Sequence, residues 1–194
     1  KHAKATGLIL LLSLLVGGLT YLGDNLDTIR WLTFLDFRVV GEYIQFTPLA
    51  DSLAAGQWWR LFTPMLLHFG ILHLAMNGMW YWELGRRIES RQGSINLIGL
   101  TLLFSLVSNY AQFVWSGPTL FGGLSGVLYG LLGHCWIFQL LAPNPAYRLP
   151  RGVLVTAVAS TKSSWVMSFS PRPRAVGCCE RWPCAPALSC LLPR

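Results

Sequence analysis

The stretch Phe121-Gly-Gly-Leu-Ser-Gly-Val-Leu-Tyr-Gly-Leu-Leu-Gly133 organises the chain. It is apolar and glycine-rich, and its one serine, Ser125, lies between Gly123 and Gly126. It follows the turn sequence Ser116-Gly117-Pro118 and runs into an apolar segment ending near Ala142. That order puts Ser125 near the start of a buried helix. The first N–H groups of a helix lack intrahelical partners and favour negative charge. A serine there can be a nucleophile with an oxyanion donor beside it. Packing explains the same residues in another way. Gly122, Gly126 and Gly130 recur every four residues, the small-residue pattern of membrane-helix contacts. The stretch alone leaves both readings open.

Composition sets the class. Of 194 residues, 53% are hydrophobic and only 12% are charged. Soluble domains carry about 25% charged residues. Apolar runs of membrane-spanning length dominate the first three quarters, so a polytopic membrane protein with the lipid bilayer as its surroundings is expected. The net charge of +7 does not point to nucleic acid. The basic residues lie between apolar runs, as the positive-inside rule places them, and no nucleic-acid motif is present. Cys135 lies within an apolar run, and Cys178, Cys179, Cys184 and Cys190 fit no metal-ligand spacing.

The expected spans are 5–22, 60–84, 95–114 and 121–141, with an aborted fifth at 152–158. A signal peptide would explain the first run, but no small-residue cleavage site follows it. The 23–57 connection is long and holds Trp31, Phe34, Phe37, Tyr43 and Phe46. Aromatics beside a span suggest a segment at the membrane interface. Lys1, Lys4, Arg86, Arg87, Arg91, Arg148 and Arg151 fall on one side, against Arg30, Arg38 and Arg60 on the other. That asymmetry places the amino terminus in the cytoplasm and the Ser125 end outside. From 156 the chain changes to Ser, Arg, Pro, Cys and Trp without pattern, as a shifted reading frame or a divergent tail would give. The expected organisation is a membrane domain over 1–155 and an atypical tail over 156–194. The expected fold is an all-α polytopic helix bundle with four clear spans.

The second span is not uniformly apolar. It carries His68, His73, Asn77 and Glu83, and polar residues in a membrane are costly and usually functional. His73 and Asn77 are four apart and share a helix face. They serve either a common polar target or hydrogen bonds to neighbouring helices. His68 and His73 are five apart, on different faces of a straight helix, and no third metal ligand is evident. A small transporter would need inverted repeats with broken helices, and none is visible.

The order Trp59-Arg60, His73-x-x-x-Asn77, Gly123-x-Ser125-Gly126 and then Tyr129 resembles the rhomboid intramembrane serine proteases. Gly85-x-x-x-Glu89, Gly117-Pro118 and Gly122-Gly123 match as well. The resemblance covers about residues 5–155 and is closest to bacterial members. It implies a multi-pass protein of the bacterial inner membrane that cleaves transmembrane protein substrates without a metal or organic cofactor. It implies Ser125 as nucleophile, His73 and Asn77 as oxyanion side chains, and Tyr129 as the ring that packs on the catalytic histidine. Gly123 and Gly126 support the serine turn. Trp59 and Arg60 resemble the motif that anchors the first loop.

One part of the family pattern is missing. Rhomboids use a Ser–His dyad whose histidine lies on a sixth span. The histidines here are His2, His68, His73 and His134. His134 follows Ser125 by nine residues on the same expected helix, a rise of about 13 Å and too far for a hydrogen bond. No histidine base is found, so the chain is expected to be inactive as it stands. The alternative is a non-catalytic rhomboid-like protein that binds transmembrane helices.

Overall fold

A computed structural model describes residues 3–41 and 43–141. His2, the aborted span at 152–158 and the tail with its four cysteines lie outside the described residues. In chain order the elements are α1 (Lys4–Leu19), α2 (Leu26–Ile29), β1 (Phe37–Val40), β2 (Tyr43–Phe46), α3 (Leu49–Ala54), α4 (Ile71–Gln92), α5 (Ser94–Ser116) and α6 (Ser125–Leu141). The helices α1, α4, α5 and α6 form a bundle in which α4 packs against the other three.

Tyr81, Leu84 and Ile88 of α4 and Leu128 and Leu131 of α6 form an apolar core, but α1 and α5 are patterned in reverse of water-soluble helices. The inward face of α1 is Ala5, Thr6, Ile9, Ser13 and Gly17, and that of α5 is Leu97, Thr101, Ser105 and Asn109. Leu11, Leu14, Leu15 and Leu19 of α1, and Leu103, Val107 and Val114 of α5, are each more than half exposed. In water the hydrophobic effect would turn those large side chains inward. Small and polar residues inside, with bulky apolar ones outside, suit a bundle whose solvent is lipid. Among the described helices α5 is long and apolar enough to cross a membrane by length and composition, with 23 residues and a mean hydropathy of 1.6. At 1.5 Å per residue it is about 34 Å long. The apolar helices α1 and α6 are shorter, at 16 and 17 residues.

The stretch expected as one helix over 60–84 is broken. Trp58–Leu61 and Thr63–Leu66 are 3-10 turns, and α4 begins only at Ile71. Pro64 lies at the start of the second turn and has no N–H to donate. Gly70, with φ of 112°, takes a conformation that side chains disfavour and interrupts any run into α4. Breaking a helix in lipid frees carbonyls that need donors. The polar residues of α5 supply them: Asn109 Nδ2 donates to Leu61 O at 2.9 Å, and Ser105 Oγ to Phe62 O at 3.1 Å.

The fold is mostly helical, not all-α. β1 and β2 pair antiparallel, with Phe37 opposite Phe46 and Val40 opposite Tyr43. Aromatic and β-branched residues flank Gly41, whose φ of 62° suits a tight hairpin. The 23–57 connection is also more than an interfacial loop. Phe34 and Phe37 are buried, while Trp31 and Tyr43 stay exposed. Phe34 packs between Phe113 and Phe121 at centroid distances of 5.5 and 5.7 Å, which joins the loop to the ends of α5 and of the serine stretch.

Gly85 and Glu89 lock α1 to α4. A Cβ at Gly85 would stand 3.0 Å from Thr6 Oγ1, so any side chain there would press Thr6 away. One turn on, Glu89 accepts from Ala5 N at 2.8 Å, Thr6 N at 2.9 Å, Thr6 Oγ1 at 2.7 Å and Ser94 Oγ at 2.7 Å. The orphan N–H groups of α1 are thus capped by a carboxylate from another helix, which also complements the helix dipole. Glu89 lies past the apolar part of α4. Burial opposes its charge, but the hydrogen bonds from Ser94, Thr6 and Ala5 outweigh it and hold the carboxyl at about 2.

Candidate active site

α5 ends at Gly117, with φ of 68°, and the chain then runs without regular structure to α6, whose first residue is Ser125. Two glycines seat this run against the turn ahead of α4. Gly123 N donates to Pro64 O at 2.9 Å. A Cβ at Gly122 would stand 2.7 Å from Leu67 Cβ and 2.8 Å from Pro64 O. Gly123 has φ of 118°, and a Cβ there would lie 2.9 Å from both Cε1 and Nε2 of His73 and 3.3 Å from Asn77 Nδ2. Glycine is required at 123 on both counts. The same contacts bring His73 and Asn77 to the backbone two residues ahead of Ser125.

His73 and Asn77 sit on the first two turns of α4 and are 8% and 4% exposed. His73 Nε2 and Asn77 Nδ2 have no hydrogen-bond partner among the described residues. Of the two uses open to this pair, a common target and bonds to neighbouring helices, the second is not seen in these atoms. A buried polar atom without a partner costs about 1–3 kcal/mol. Two such nitrogens at the Gly123 backbone, two residues before a serine at a helix start, have the composition of an oxyanion site.

Gly126 and Gly130 serve packing. A Cβ on Gly126 would be 2.5 Å from Ser108 Cβ, and one on Gly130 would be 2.5 Å from two atoms of the Phe104 ring. These glycines set α6 against α5, whereas Gly122 lies outside the helix. Tyr129, one turn after Ser125, is 37% exposed. Among the described residues no histidine ring packs on it.

The remaining described histidines lie elsewhere. His134 is toward the far end of α6, where its Nε2 is hydrogen-bonded to the Gln92 amide at 2.9 Å. His68 is not on a helix with His73, contrary to the straight-helix expectation, because the break before α4 redirects it. Its ring meets that of His73 with centroids 5.2 Å apart. Among the described residues no group of three His, Cys, Asp or Glu side chains could hold a metal ion.

Trp59 and Arg60 pin the first loop. Arg60 Nη1 donates to Arg30 O at 2.6 Å and Thr33 O at 3.0 Å, Trp59 Nε1 to Trp31 O at 2.9 Å, and Thr63 Oγ1 to Leu32 O at 2.9 Å. Four successive carbonyls after α2 are thereby satisfied by the two 3-10 turns ahead of α4. Arg60 is 1% exposed, and its charge is met by Asp36 at 3.2 Å and its Nε by Gln57 Oε1 at 2.6 Å. Sequence reasoning missed Asp36, Gln57 and Thr63 in this role. Spacing carries no signal for partners this far apart in the chain.

A rhomboid-domain family model matches residues 55–177. The chain belongs to the rhomboid family. Rhomboids are membrane-embedded and, as a family, intramembrane serine proteases. The matched range contains the Trp59–Arg60 turn, His73, Asn77 and Ser125, and it runs past residue 155, where the sequence reading closed the membrane domain.

Proposed function

We propose that this rhomboid carries the site of a serine-type endopeptidase that hydrolyses peptide bonds in or beside the transmembrane segments of membrane proteins. The observation that carries this reading is the seat of Gly123. Its missing Cβ lets His73 Nε2 and Asn77 Nδ2 reach the backbone just ahead of Ser125, with both atoms buried and unpartnered. In this reading Ser125 Oγ attacks the scissile carbonyl. The carbonyl oxygen gains charge and is met by the Ser125 N–H, by an N–H at His73 Nε2 and by the Asn77 amide. The C–N bond breaks as the amine takes the proton that the base removed from Ser125, and water then hydrolyses the acyl-serine ester to the free acid and Ser125.

The reaction needs a base for the Ser125 proton, and the described histidines argue against themselves. His134 is about 13 Å along the helix from Ser125 and bonded to Gln92. His68 gives its Nδ1 proton to Leu66 O, and its Nε2 has no hydrogen-bond partner among the described residues, so it does not hold the Ser125 hydroxyl. His73 is assigned to the oxyanion. We therefore place the chain as slow or inactive as it stands, with 1–155 as its multi-pass membrane domain and 156–194 as an atypical tail. The site faces outward across a bacterial inner membrane, and Tyr129 awaits the histidine on which its ring would pack.

The test is cleavage of a transmembrane model substrate by the purified 194-residue chain, beside Ser125→Ala. No Ser125-dependent cleavage is expected. Cleavage that depends on Ser125 would mean that another group supplies the base. No described histidine is hydrogen-bonded to Ser125 (His134 is bonded to Gln92 and His68 to Leu66 O), which favours a second reading, a non-catalytic rhomboid that binds membrane helices. A serine-directed activity probe separates the two in a form given the family's histidine: Ser125 is labelled in the first and not in the second.

A further inference from the structure

We propose that His68 is a positioning residue, which fixes the ring of His73 so that Nε2 faces the Gly123 backbone ahead of Ser125. The proposal rests on the reading of His73 as an oxyanion donor.

His68 is fully buried, and its Nδ1 lies 3.0 Å from Leu66 O. A carbonyl only accepts, so Nδ1 carries the proton and Nε2 keeps its lone pair. One ring nitrogen is thus spoken for, and the ring is held in place. It meets the His73 ring edge to face, with planes 62° apart. That arrangement attracts one ring's edge to the other's face, and it also fills the space into which His73 would otherwise turn. His73 has few other restraints, since its Nε2 has no partner among the described residues.

The backbone under His68 is held as well. Gly70 N donates to Leu22 O at 3.1 Å. A Cβ at Gly23 would lie 2.5 Å from the Phe69 ring and 3.4 Å from His68 O. Tyr21, Leu22 and Gly23 all have positive φ, at 50°, 54° and 93°. Side-chain-bearing residues seldom hold that conformation, and such outliers cluster where a site is pre-organised. Here the strained turn at the end of α1 braces the segment that carries His68.

The experiment reads the imidazoles directly. The purified 194-residue chain is labelled with ring-nitrogen-15 histidine in detergent, and His73→Gln assigns the His73 signals. The wild-type chain is expected to give one His73 tautomer, protonated at Nε2. His68→Asn keeps a donor for Leu66 O but removes the ring, and the His73 signals should then shift to a mixture of tautomers. His68→Phe keeps a ring, and the single tautomer should remain. Unchanged His73 signals in His68→Asn would overturn the proposal, as would their loss in His68→Phe or a mixture in the wild type. Should the Asn variant fail to fold, His68→Leu, which fills the site without a ring, takes its place: a mixture of His73 tautomers there supports the ring contact and a single one rejects it. This readout needs no turnover, so its outcome is separate from the cleavage assay that tests the protease reading.

Discussion

Glu89 and Arg60 are buried ions whose every charged atom is matched, whereas His73 and Asn77 are as deeply buried and face the serine stretch unmatched. Glu89 takes four donors from α1 and from Ser94. Arg60 gives hydrogen bonds to Arg30 O, Thr33 O and Gln57, with Asp36 beside it. His73 Nε2 and Asn77 Nδ2 give none among the described residues. Burial is the same in kind, so desolvation does not separate the two groups. The difference is whether the partner belongs to the resting fold. Buried atoms without a partner mark strain, catalysis or an ordered water. Among the described residues Ser52 Oγ, His68 Nε2, Trp80 Nε1 and Gln139 Oε1 are unpartnered as well; His73 and Asn77 stand apart because both meet the Gly123 backbone.

That contrast predicts a ranking of stability losses. Arg60→Ala should cost the most, about 3–5 kcal/mol, because Asp36 and several carbonyls lose a buried cation. Denaturant unfolding in detergent measures it, and a loss below about 1 kcal/mol would place Arg60 among weakly coupled surface charges.

Glu89→Gln should follow, at about 1–3 kcal/mol, since some donors at the start of α1 then meet an amide N–H. Its effect should depend on pH. The folded carboxyl lies at about 2, below the ordinary 4.5. The charged form therefore stabilises the fold fully above the ordinary value, and that stability is lost as pH falls through the folded one. The gap between wild type and Glu89→Gln should shrink as pH drops from 5 toward about 2. A gap that stays constant over that range would reject the charge-based cap.

Asn77→Ala should have the smallest effect on folding, within about 1 kcal/mol, because no hydrogen bond is removed. A loss as large as that of Arg60→Ala would make Asn77 a structural residue and erase the contrast.

The placement of the candidate site residues was more legible in the sequence than the scaffold. Ser125 at a helix start followed from the Gly117-Pro118 turn and the glycine run, and α6 does begin there. The shared face of His73 and Asn77 followed from their spacing, and the Gly123 contacts bear on both. The break between Trp58 and Ile71 went unread because the segment is apolar throughout, although Pro64 and Gly70 carried the signal. The hairpin was hidden for a similar reason. Phe37–Val40 and Tyr43–Phe46 lie in a segment whose aromatics looked interfacial. Glu89 matched a family pattern, but its partners Ala5 and Thr6 are some eighty residues away. Only packing brings them together.

In the proposed function His73 and Asn77 hold donors for the reaction and not for the fold. The most direct measurement is turnover per folded molecule for Asn77→Ala, in a version of the protein given the family's histidine, with the unfolding midpoint taken on the same sample. The expected result is a kcat lower by about 10²–10³, with KM and the midpoint close to wild type. A lowered midpoint with near-normal kcat would contradict it.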